Sequence, residues 1–285
     1  MTAGQRKLES MIRIWIKSRA CGLPIRERKR GKIMEYILVF FVALLGLVSG
    51  SFLNVVIFRL PAGKSVIQPR SHCPHCGYFL RAWELIPVLS YLLLLGRCSK
   101  CLRRISWRYP VVEMLTALLF IFTYLLLTER TLFGLALDFI FISLLVALTF
   151  IDIDTYRLPD RLVVLVALIG LINALTTGKP PVGQSLLGAA FAGAFFFLIA
   201  YIYPQGMGFG DVKFVTALGL YLGMPQILGA VFLASLLGTI IGGLWLKLTK
   251  KNLKNPIPFG PFLAAGALLV IFFQKQLLEL CNFIL

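Results

Sequence analysis

Charge is scarce in this chain. Only 14% of its 285 residues are Asp, Glu, Lys or Arg, while 59% are hydrophobic and the mean hydropathy is +0.87. Soluble domains carry about a quarter charged residues, so an ordinary soluble enzyme is excluded. A disordered chain is excluded too, because it needs few apolar residues. Six cysteines in 285 residues exclude a disulfide scaffold. Acid is scarcer still: 12 Asp and Glu stand against 29 Lys and Arg, for a net charge of +17. In a soluble protein that excess would suggest nucleic acid. Here the basic residues cluster in loops between apolar runs, where they report membrane orientation, and no nucleic-acid partner is expected.

The apolar residues fall in runs of about 20, each long enough to cross a bilayer as a helix. Candidate spans are 34–58, 110–128, 132–152, 161–177, 183–203, 211–223, 225–247 and 258–278. The expected fold is an all-α, polytopic membrane protein of about eight transmembrane helices. The sixth span is short enough to tilt, enter part way or merge with its neighbour. Residues 85–96 are too short to span, carry a proline, and read as an interfacial or buried segment.

Placing the 59–109 loop in the cytoplasm fixes every other loop, and sixteen Lys and Arg then lie inside against three outside, namely Arg130, Lys179 and Lys275. Residues 1–33 disagree, since this topology sends their ten basic residues outward. Met34 opens a compact apolar helix that needs nothing before it, and Arg30-Gly31-Lys32-Ile33 is encodable by a stretch resembling a ribosome-binding site. Met34 is therefore read as the natural start, with a genuine basic amphipathic arm as the alternative. No cleavage site follows an apolar core there, so no signal peptide is expected. The expected divisions are 1–33, an N-terminal region 34–131 holding the first two spans and their loop, and a membrane domain 132–285.

Four cysteines form two knuckles, Cys73-Pro-His-Cys76 and Cys98-Ser-Lys-Cys101, within the first cytoplasmic loop. That spacing points to a tetrahedral thiolate site for a structural Zn2+, since four cysteines leave no open position for substrate. The loop is too small and basic for a large core, and a metal would tie its ends together. His72 and His75 are substitute ligands or solvent-facing neighbours. Two disulfides are the alternative, which a reducing cytoplasm opposes. Cys21 and Cys281 have no partners by spacing.

The chain has five aspartates, each needing a reason in so apolar a context. Asp152 closes the third span, and Asp211 ends Gly206-Met207-Gly208-Phe209-Gly210-Asp211 at the start of the sixth. Topology puts both carboxylates at similar depth on the cytoplasmic side, as an aspartyl protease requires: one removes a proton from water, the other polarises the peptide carbonyl. Gly206, Gly208 and Gly210 are expected to free the backbone for positive φ and let an extended substrate approach. The alternative is a tight loop with Asp211 capping a helix. Asp154 is expected to pair with Arg157, Asp160 to cap a helix, and Asp138 to mediate packing. Glu113, beside the cysteine loop, is either an interhelical hydrogen-bonding group or part of a second site.

Together these elements resemble the type IV prepilin peptidases. The resemblance runs from Met34 onward through GSFLNVVIFRLP (50–61), the cysteine quartet, ISWRYPVVEMLTALLF (105–120), IDIDTYRLPD (151–160) and GMGFGDVK (206–213). It implies a GxGD-type aspartyl endopeptidase of the bacterial inner membrane whose catalytic pair is Asp152 and Asp211. Lys213 matches as well, its role open. The resemblance also implies cleavage after glycine, in front of an apolar helix, of type IV prepilins or type II secretion pseudopilins. It further implies N-methylation of the new terminus, usually phenylalanine, by S-adenosylmethionine, an activity associated with the N-terminal region. No glycine-rich nucleotide fingerprint is present, so methyltransfer rests on the resemblance alone, with Gly96, Arg97 and Glu113 as candidate residues. Rival readings are a transporter, which predicts midplane acids and internal repeats, and a zinc-bearing scaffold, which leaves Gly206–Asp211 without a task.

Overall fold

The computed structural model describes residues 25–127, 131–204, 206–249 and 257–284, and the first 24 residues of the basic arm lie outside them. The chain divides after Val42 into two units. Each of the eight apolar segments is helical: α1 (Ile25–Arg59), α3 (Arg108–Leu126), α4 (Leu132–Thr155), α5 (Asp160–Thr177), α6 (Val182–Ile202), α7 (Phe209–Leu222), α8 (Gln226–Leu237) and α10 (Gly260–Ile284). α8 continues through a π-helical stretch, Gly238–Gly242, into α9 (Gly243–Thr249). The loop after α1 holds a 3-10 turn (Ala82–Leu85) and α2 (Leu89–Leu93), so residues 85–96 make no span. Among the described residues the extended pairing is limited to bridges His72–Phe79 and Arg97–Arg104.

Five helices are long and apolar enough to cross a membrane, the segments Ile33–Arg59, Arg108–Leu126, Leu132–Thr155, Asp160–Thr177 and Val182–Ile202. α7, with 14 residues, and the apolar parts of α8 and α10 are shorter. Proline and glycine punctuate the series. Pro159 and Pro181 precede α5 and α6, where a fixed φ suits a helix start, and Gly178 (φ +64) and Gly223 (φ +70) terminate α5 and α7. The Thr131 hydroxyl accepts the Gly134 N–H (3.1 Å) and caps α4.

α7 is the centre of the second unit. It packs against α5, α6, α8 and α10, while α4 packs against α3, α5 and α10. Without a hydrophobic force between helices in lipid, close approach depends on small residues. Gly188 and Gly219 meet where α6 crosses α7, and a Cβ on Gly219 would stand 2.6 Å from the Gly188 carbonyl oxygen. The Tyr221 hydroxyl donates to buried Asp138, and the Tyr221 ring stacks on Phe141 at 3.5 Å. Asp138 thus joins α4 to α7, the packing role expected of it.

Candidate active site and metal centre

The two knuckles are folded alike. Cys73 N–H donates to the Tyr78 carbonyl and Gly77 N–H to the Cys73 carbonyl; Cys98 and Leu102 repeat the pattern with the carbonyls of Arg103 and Cys98. Each turn requires a left-handed residue after its second cysteine, Gly77 at φ +69 and Leu102 at φ +56. The turns bring the four Sγ atoms within 4.8 Å of one another, with Cys73 and Cys101 3.8 Å apart. Tetrahedral thiolates about 2.3 Å from a zinc ion would sit about 3.8 Å apart, so the quartet can hold a metal ion. Burial opposes ionisation of Cys73, but the Cys76 and His75 amides and neighbouring thiols outweigh it and bring the thiol down to about 7. The Arg103 amide favours the Cys101 thiolate, yet burial and the other three thiols push Cys101 up to about 11. Four thiolates together therefore need a cation. His72 and His75 are occupied elsewhere, His72 Nδ1 with the Arg70 carbonyl (3.0 Å) and His75 Nδ1 with Arg103 (3.1 Å).

Glu84 braces this loop. It accepts hydrogen bonds from the Arg81 amide (2.7 Å) and from the hydroxyl of Ser99, inside the second knuckle. Burial would raise its carboxyl; the bonds from Ser99, Arg81 and Tyr78, with the Arg81 charge, outweigh it and hold the group below its usual range. Glu113 is buried and takes the Val88 N–H (2.8 Å), and α1 packs on its backbone, where a Cβ on Gly50 would stand 2.6 Å from the Glu113 Cα. The bond ties α3 to the loop. Gly96 is buried at φ +66, where a Cβ would stand 2.9 Å from the Tyr91 ring. Arg97 is exposed, and no hydrogen bond among the described residues joins Gly96 or Arg97 to Glu113.

Asp152 lies in the last turn of α4 and is 4% exposed. Asp211 lies, half-buried, in the first turn of α7. The folding of α4, α5 and α7 leaves Asp211 within reach of the Asp152 charge. Tyr156, left-handed at φ +53, ends α4 by donating its N–H to the Asp152 carbonyl (2.9 Å). The returning chain places Leu158 in a wedge: a Cβ on Gly210 would lie 3.4 Å from it, and one on Gly260 3.3 Å. Gly260 N–H, at the start of α10, donates to Asp152 Oδ2 (3.0 Å).

Three expectations are corrected here. None of Gly206, Gly208 and Gly210 adopts positive φ; Gly206 instead makes room for the Tyr203 ring, and Gly206 and Gly208 stay exposed. Asp154 pairs with Arg108, not Arg157, because Arg108 at the start of α3 also donates to the Phe150 carbonyl (3.0 Å) and lies over the Phe58 and Phe150 rings. Asp160 is the first residue of α5 and makes no cap; it receives Lys213 Nζ at 2.9 and 3.0 Å, which gives Lys213 its partner. Sequence reasoning missed Leu158, Glu84 and Gly260. Of these only Gly260, set between Pro258 and Pro261, carries a local signal.

Residues 44–127 match the Bacterial Peptidase A24 N-terminal domain, and residues 139–243 match the Type IV leader peptidase family. A prepilin leader peptidase/N-methyltransferase of Aeromonas salmonicida is 38% identical over 255 residues, covering 78% of this chain and 86% of the relative. The proteins of that name from Pseudomonas aeruginosa and Myxococcus xanthus are 34% and 41% identical, over 84% and 73% of this chain and 91% and 63% of their own lengths. No solved structure gives a match. The matched regions take in the cysteine loop and both aspartates, and the identity extends over most of the length: the chain belongs to the type IV leader peptidase family.

Proposed function

We propose that this protein removes the leader peptide from type IV prepilins, or from the pseudopilins of type II secretion, at the cytoplasmic face of the bacterial inner membrane, and that it N-methylates the new terminus. The observation that supports the peptidase reading is that Asp152, in the last turn of α4, and Asp211, in the first turn of α7, 59 residues apart in the chain, lie within electrostatic reach of each other on either side of the Leu158 wedge. Two carboxylates that repel each other favour a state in which one of them keeps its proton. The ionised carboxylate takes a proton from water as the oxygen attacks the scissile carbonyl, and the protonated partner donates to the carbonyl oxygen. Collapse of the tetrahedral adduct breaks the C–N bond, and a proton passes to the leaving amine. The exposed Gly206–Gly208 stretch gives an extended substrate access beside Asp211.

Zn2+ is the metal that suits the cysteine quartet; its task is to tie the two knuckles together, and no step of cleavage passes through it. The names of the relatives support methylation, with S-adenosylmethionine as methyl donor. Gly96 serves a turn and Glu113 braces the loop, so no step of methyl transfer is assigned to them.

Cleavage of a prepilin in membranes, read by gel shift and by mass of the new N-terminus, tests the acid pair. Asp152→Asn and Asp211→Asn should each lower cleavage by about a thousandfold or more, and the double variant should be little worse. Asp154→Asn and Asp160→Asn should keep cleavage within a few fold, since exposed ion pairs contribute only about 0–1 kcal/mol. Wild-type processing by either variant of the pair, at matched expression, overturns the mechanism.

A further inference from the structure

The start of α10 supplies what neither motif of the acid pair contains. The first-turn N–H groups of a helix have no partner within it. In α10 the Gly260 N–H goes to Asp152 Oδ2 at 3.0 Å, Pro261 has none, and Phe262 N–H is taken by the Phe259 carbonyl at 3.0 Å. One donor at the positive end of the helix is thus directed at one carboxylate oxygen. The approach depends on the missing side chain: a Cβ at Gly260 would stand 2.7 Å from Asp152 Oδ2 and 3.2 Å from Cγ. Gly260 has no positive φ, so glycine is needed there for space.

We propose that Gly260 is a positioning residue for the acid pair: its N–H holds Oδ2 of Asp152 and favours the ionised form, leaving the other oxygen to face Asp211. This rests on the reading of Asp152 and Asp211 as the catalytic pair. It assigns the water-activating role to Asp152 and the shared proton to Asp211. Among the described residues the Asp152 carboxylate takes its hydrogen bond from this N–H, while the nearby Arg157 and Arg161 are exposed. Asp211 on α7 is the partner, Asp154 is held by Arg108 of α3, Asp160 of α5 is held by Lys213 of α7, and α10 has no charged residue before Lys275.

The test uses the full-length protein in membranes, with prepilin as substrate. Gly260→Ala should lower kcat for cleavage by about 100-fold, the cost of an ångström-scale misplacement, with KM little changed. The acid limb of its pH profile should move to higher pH, because the carboxylate has lost a donor; a merely structural defect lowers the profile without moving it. Gly229→Ala, where a Cβ meets only Val270 at 3.4 Å, should leave both unchanged. Methylation of a pre-cleaved substrate reports folding. The bond is also read without any change at Gly260. Protein labelled with carbonyl-13C phenylalanine and 15N glycine shows three Phe-Gly correlations, those of Gly134, Gly210 and Gly260. The Gly260 amide proton should shift with pH in the wild type and lose that dependence in Asp152→Asn. Wild-type kcat and an unmoved acid limb in Gly260→Ala, or an indifferent Gly260 amide, overturn this proposal while inactive Asp152→Asn and Asp211→Asn keep the pair. Active Asp→Asn variants overturn the pair itself.

Discussion

The crossing of α6 and α7 offers a way to move an acid without touching it. Gly219→Ala places a Cβ 2.6 Å from the Gly188 carbonyl oxygen and 2.7 Å from the Ala189 nitrogen, both backbone atoms that cannot swing aside. Ordinary contact begins at 3.4 Å, so α7 must retreat from α6 by roughly 0.8 Å or rotate, at an overpacking cost of about 1–3 kcal/mol. Asp211 lies about two turns up the same helix and follows that motion, whereas Asp152 on α4 does not. A relative displacement approaching 1 Å is enough to cost on the order of 100-fold in rate. Gly219→Ala should therefore insert, unfold at a lower temperature in detergent, and cleave prepilin about 100-fold more slowly, with methylation of a pre-cleaved peptide little changed. Gel-shift kinetics and thermal unfolding of the same preparation read both effects. Full cleavage and an unshifted unfolding temperature would refute the close crossing.

Two further outcomes concern the loop. Cys73→Ser with Cys76→Ser should reduce zinc, measured by elemental analysis of purified protein, from about one ion per chain to almost none, with the 59–109 loop cut faster by protease and cleavage activity surviving; full zinc content would remove the tetrathiolate site. Glu84→Gln should also loosen the loop. Because the folded-state carboxyl titrates below its ordinary range, its stabilisation is complete above that range and is lost as pH falls through the lowered value. The difference in proteolysis between wild type and Glu84→Gln should thus be full at neutral pH and vanish in strong acid.

The apolar segments were legible because hydrophobicity over about 20 residues is a local property, and all eight are helical. So were the knuckles, whose four cysteines lie in two short runs, and the placing of Asp152 and Asp211 at helix ends. Partnerships across elements were not. Asp154 has Arg157 three residues away and chooses Arg108, 46 residues away, because Arg108 is fixed by Phe150 and two aromatic rings. Asp160 looked like a cap from its neighbours, yet Lys213 lies across the α5–α7 contact. Gly260 is 108 residues from the carboxylate it contacts, and its flanking prolines mark a helix start without telling what the glycine faces.

The shortness of α7 has a consequence for the lipid. Fourteen residues rise about 21 Å at 1.5 Å each, while the hydrocarbon layer is about 30 Å thick. A helix that short cannot bring both of its ends to aqueous boundaries in an undistorted bilayer. The bilayer then thins around it or water descends to it, each at a modest cost per ångström. If Asp211 is one of the catalytic acids, as proposed above, peptide hydrolysis at the tip of such a helix would take place where the membrane is thinned. The acyl-chain length of the host lipid would then be a reaction variable, with thicker bilayers expected to withhold water from Asp211.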